Sequence, residues 1–84
     1  MATATTQNVS KFATHWMTAN AMLMDAIATP SRLAFEAAHG QAIRAIGASQ
    51  AGGLDAEGHT RWEMAQSLAR LISDVARESG YTIR

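Results

Sequence analysis

The heptapeptide Ile27-Ala28-Thr29-Pro30-Ser31-Arg32-Leu33 decides the fold. It interrupts an otherwise continuous helix-forming sequence with its only proline. Pro30 has no amide hydrogen for the helical ladder and pushes Thr29 out of the helical region. Thr29 as cap with Pro30 at the first helical position reads as a helix restart, so the chain turns back here as a helical hairpin. One helix kinked at Pro30 is the alternative.

Upstream of this turn, a helix is expected over about residues 9–28. Phe12, Trp16, Ala19, Leu23 and Ile27 recur at steps of four, three, four and four, which is one helical face. Met17 and Met24, seven apart, widen that face, and Met22 lies elsewhere on the circumference. A helix apolar around so much of its surface needs neighbours on more than one side. Residues 1–8 have no periodic apolar pattern and read as a flexible N-terminal tail, with Asn8 or Ser10 available as a cap.

Downstream, a second helix is expected over about 30–48, with Leu33, Ala37, Ala38, Ile43 and Ile46 as its apolar positions. Gly40 and Gly47 are seven apart and share a face. Each costs ~1 kcal/mol against alanine inside a helix, a cost that close approach of a neighbouring helix would offset. The segment 49–58, with Gly52-Gly53, reads as a connector. Thr60 and Glu63 have the spacing of a capping box, so a third helix is expected over about 61–79. Its stripe is Ala65, Leu68, Leu71, Ile72 and Val75, with Trp62 and Ala69 on the flank. Arg70, Asp74, Arg77 and Glu78 lie outside, where Asp74 and Arg77 can pair. Gly80 is placed as a left-handed terminator. The expected architecture is all-α, with a hairpin plus a third helix in one helical domain over 9–84. It packs against further helices of an oligomer or partner.

Composition narrows the function. The chain has 84 residues, no cysteine, and seven basic residues against seven acidic ones. Disulfides, thiolate metal sites and cysteine catalysis are excluded. A neutral chain lacks the basic face that nucleic acid requires. No apolar run approaches the ~18 residues of a membrane span, and the N-terminus lacks a signal-peptide pattern, so a cytoplasmic location is expected. With 18 alanines and charged residues at 17%, the surface is weakly charged for a lone monomer. So small a domain buries only about 60–65% of its unfolded surface, and oligomerisation commonly makes up that deficit.

The chemistry-bearing candidates are few. Glu36-Ala-Ala-His39 places a carboxylate and an imidazole on one helical face, as in di-iron carboxylate bundles. Asp25 across the hairpin would sit at a similar height. A symmetric dimer would have to complete such an iron or other divalent-metal site, and an exposed Glu–His pair is the plainer reading. Asp55, His59 and Glu63 fall at steps of four, but a helix starting after His59 would break that stripe. His15 beside Trp16 and Met17 lacks any haem-attachment context. The expected function is a non-catalytic accessory or structural subunit, which self-assembles or stabilises a larger protein complex. Its interface would draw on Trp16, Met17, Met22, Met24, Gly40 and Gly47. The alternatives are a di-iron-like dimer and an amphipathic coat on an apolar inclusion surface.

Overall fold

A computed structural model describes the backbone of residues 2–50 and 56–83 and the side chains of residues 10–49 and 58–83. It contains three α-helices, α1 (Ala2–Ala28), α2 (Arg32–Gln50) and α3 (Ala56–Glu78), and no strand among the described residues. The all-α expectation holds, and the break at Thr29–Ser31 is a true turn, which removes the kinked-helix alternative.

Each boundary has a local cause. Helix α1 extends back to Ala2 rather than starting at Val9, so residues 2–8, expected to form a tail, are helical. No proline or glycine stands there to stop propagation, and adding a residue to an existing helix is far easier than nucleating one. Helix α2 starts at Arg32, two residues later than expected. Its cap is Ser31, whose Oγ accepts the Ala34 amide at 3.0 Å. Helix α3 starts at Ala56, not Arg61, so Thr60 lies within the helix instead of capping it. Gly52-Gly53 and Asp55 lie outside the described residues.

The end of α3 follows the sequence reading. Gly80 has φ +92°, the Tyr81 amide donates to the Ala76 carbonyl at 2.8 Å, and the Gly80 amide donates to that of Arg77 at 3.0 Å. This is the Schellman pairing, which satisfies carbonyls the helix end would leave bare. It turns the chain back so that Tyr81 and Ile83 pack on the core, with the Tyr81 and Phe35 rings 5.9 Å apart.

The three helices run up, down and up in a rod with Cα extents of 45 × 16 × 16 Å. The core lies along the axis and is built largely from alanine. Helix α1 contributes Phe12, Ala19, Leu23 and Ala26; α2 contributes Phe35, Ala38, Ala42 and Ala45; α3 contributes Ala65, Leu68, Ala69, Ile72 and Ala76. The small residues let α1 and α2 approach most closely, and α3 packs mainly on α2. Helices α1 and α3 approach each other least, which leaves a groove between them.

Two expected stripes need correction. On α2 the buried face is Phe35, Ala38, Ala42, Ala45 and Ser49, at steps of three, four, three and four. Leu33 is instead 78% exposed, and Ile43 is also exposed. Gly40 and Gly47 share a face, as their spacing requires, but it is the outer face of α2, and a Cβ added to either would meet nothing within 4 Å. The close helix approach expected at the glycines is made by Ala38, Ala42 and Ala45. On α3, Leu71 leaves the core stripe and is half-exposed, and Ala69 and Ala76 take its place.

Candidate protein-interaction face

The groove between α1 and α3 is lined by Trp16 and Asn20 on one side and by Thr60, Glu63, Met64, Ser67, Leu68 and Leu71 on the other, around a volume of ≈ 480 Å³. Its floor is Leu68 with the half-buried Trp16, which packs against the core on both sides. The Trp16 Nε1–H is buried and has no hydrogen-bond partner. Asn20 on the rim turns its Nδ2 inward, donating to the Trp16 carbonyl at 2.8 Å.

Met17 and Met24 lie together on one side of Asn20 on the circumference of α1, about 60° and 40° from it by helical geometry. They are 65% and 67% exposed, and Ile27, Met64 and Leu71 are exposed beside them. The face across α1 and α3 therefore carries exposed apolar side chains on both helices, interspersed with Asn20, Thr60, Glu63 and Ser67. Between Phe12 and Ala28, α1 carries one formally charged side chain, Asp25, which points about 100° away from Met24. On the α3 side Glu63 lines the groove itself. There a shallow recess brings Glu63, Ser67 and Arg70 to one flank with Trp62 and Gln66.

Met22 packs against the core, on the side of α1 away from Met17, so of the three clustered methionines two form the outer face and one fills the bundle. Gly40 and Gly47 lie on α2, away from the α1–α3 groove. The face has members that the periodicity assigned elsewhere. The periodicity assigns Leu71 to the core and Glu63 to a capping box, places Arg70 on the outer face, and gives Met64 no part. The signal that finds them is the seven-residue spacing of Met64 and Leu71, which repeats that of Met17 and Met24.

Among the described residues no group of three or more His, Asp or Glu side chains within one chain could hold a metal ion, and Asp25, Glu36 and His39 do not form one. Glu36 lies 3.9 Å from the Arg32 guanidinium, an exposed pair worth a few tenths of a kcal/mol at most. Burial lowers the His39 pKa below the ordinary imidazole value, which favours the neutral ring. His59 and Glu63 do share a stripe, since α3 is continuous through both, and their side chains meet at 2.9 Å. The His59 ring stacks on Trp62 at 5.6 Å. The expected Asp74–Arg77 pair forms at 2.6 Å. His15 bridges helices through its Nδ1 to Gln41 Oε1 at 2.8 Å, a structural contact between α1 and α2.

No helix among the described residues is long and apolar enough to cross a membrane. No family model matches the chain, and neither a curated protein nor a solved structure matches it significantly.

Proposed function

We propose that this chain is a non-catalytic helical subunit whose task is to bind protein through the face formed by α1 and α3. The observation that carries this reading is the exposure of Met17 and Met24 on an almost uncharged helix, next to Leu71 and Met64 across an open groove. Scattered exposed apolar residues need no explanation, but a contiguous apolar face marks an interaction surface. Methionine suits such a surface, because its unbranched, polarizable side chain adapts to the shape opposite. The residues that could serve chemistry support no competing site. His15 engages Gln41, His59 engages Glu63, and His39 is partly buried; among the described residues no group of three or more His, Asp or Glu side chains could hold a metal ion.

Native mass spectrometry of the chain isolated from its own host tests this. The expected result is an assembly heavier than the 9.0 kDa chain, lost when Met17 and Met24 are both replaced by lysine. A chain recovered only as a monomer, or an assembly indifferent to those substitutions, would overturn the proposal.

A further inference from the structure

The chain has no cysteine and five methionines, so thioethers are its only sulfur. Met17, Met22, Met24 and Met64 lie among the residues whose side chains are described, and their surroundings divide them. Met17 and Met24 are 65% and 67% exposed and Met64 is 41% exposed, on the face across α1 and α3. Met22 is half-buried and packs against the core. We infer that Met17 and Met24 are oxidation sites: hydrogen peroxide converts both to sulfoxides ahead of Met22, and that conversion releases bound protein from the face while the bundle stays folded. The inference rests on the interaction face described above and adds its regulation.

The reaction is the transfer of one oxygen atom. A lone pair on the methionine Sδ attacks the peroxide, the O–O bond breaks, an S–O bond forms, and the second oxygen leaves as water after a proton shift. The sulfur loses two electrons and the peroxide gains them. The step requires contact between peroxide and the sulfur lone pair, so access decides which methionine reacts. Solvent reaches most of the Met17 and Met24 side chains. Met22 is turned to the other side of α1, where the core screens it.

The consequence differs between face and core. Oxidation turns a flexible apolar side chain into a polar, chiral one, which disrupts packing wherever methionine meets apolar groups. On the unbound chain the new S=O of Met17 or Met24 stands in water, so the fold loses nothing by it. Against a bound protein the same oxygen must give up its water. Asn20, between the two methionines in sequence, donates its Nδ2 to the Trp16 carbonyl at 2.8 Å, and the Trp16 Nε1–H is buried. Both donors are thus turned inward, away from the new oxygens. An acceptor desolvated without a donor weakens binding by about tenfold for each sulfoxide.

Position makes the two sites act together. Met17 and Met24 stand two turns apart along α1 and about 20° apart around it, so both sulfoxides emerge on one side of the helix. Their nearest neighbours around that side are Ala13, Ala21 and Ala28, with Asn20 at the groove edge. The two sulfurs therefore set the polarity of this part of the face. Met64 lines the groove opposite and, being less exposed, follows them. The change is reversible: a thiol-dependent reductase returns the sulfide, with two thiols oxidised to a disulfide and the oxygen leaving as water.

Hydrogen peroxide treatment of the folded 84-residue chain tests the inference. Fragmentation mass spectrometry reads oxygen uptake at each methionine, and circular dichroism follows the fold. Met17 and Met24 are expected to react about tenfold faster than Met22, with helical circular dichroism unchanged once both are converted. Native mass spectrometry of the assembly from the host, before and after peroxide, supplies the second readout. The assembly is expected to be lost on oxidation and regained after enzymatic sulfoxide reduction. A Met17→Leu, Met24→Leu double variant keeps the apolar bulk without an oxidisable sulfur, and its assembly is expected to survive peroxide. Three results would overturn the inference and leave the interaction face standing: Met22 oxidised as fast as Met17, helicity lost in step with Met17 and Met24 oxidation, or a wild-type assembly that survives full conversion of both. Equal loss of assembly in the double variant would overturn it too, by placing the effect elsewhere. An untreated chain that forms no assembly would overturn both proposals.

Discussion

Single residues on α2 expose a separation between what the helix needs and what the bundle needs. Gly40 and Gly47 sit in the interior of a helix with open space where a Cβ would go. Replacing both by alanine should stabilise the chain by about 1–2 kcal/mol, from helix propensity and reduced freedom of the unfolded chain. Chemical denaturation measures this directly, and destabilisation would show that the glycines meet something in solution. His39 makes the opposite point about burial. Its folded pKa lies below the unfolded value near 6.5, so between those two values the unfolded chain binds more protons. Stability is complete above pH 6.5 and declines as pH falls towards the folded value. The ring is only partly buried, so the decline is modest. Denaturation midpoints at pH 7.5 and 5.5 should differ less for His39→Gln than for the wild-type chain.

At the scale of the element, the residues that fix the turns were legible and those that fix the faces were only partly so. Pro30 and Gly80 act through backbone geometry that no tertiary contact can change, so their positions forecast the hairpin and the end of α3. Faces are harder in a chain with 18 alanines, because alanine fits equally well inside and outside a helix bundle. On α2 the reading favoured Leu33 and Ile43 for their size, and both are exposed. The buried row is signalled instead by Phe35 and by unbroken three-four spacing through Ala38, Ala42 and Ala45. The interaction face was half legible for the same reason. Met17 and Met24 stood out on a helix with too many apolar residues for one neighbour, whereas Leu71 was indistinguishable from core until α3 was oriented by Ala65, Ala69 and Ala76. Truncation separates the two kinds of apolar residue. Phe35→Ala should cost about 3–5 kcal/mol through the cavity it leaves in the core, and Leu33→Ala should stay within about 0.5 kcal/mol of wild type. Equal losses in urea unfolding would return Leu33 to the buried face.

For the molecule as a whole, the same alanine-rich core limits the stability available to one chain. Phe35 and Ile72 are the only large side chains fully buried among the described residues, and each alanine removes little apolar surface from water. The exposed Met17, Met24, Met64 and Leu71 lie beyond that core, on the face across α1 and α3. Binding through that face would couple folding to association, because a partner that binds only the folded chain stabilises it by mass action. The thermal midpoint should then rise with protein concentration, by several degrees between about 5 and 500 µM if the partner is a second copy that associates within that range. In a variant with Met17 and Met24 both replaced by lysine the midpoint should vary much less with concentration, while the variant retains helical circular dichroism at low temperature. Scanning calorimetry at fixed pH and salt makes the comparison. A midpoint independent of concentration in the wild-type chain would place all of its stability within a single copy.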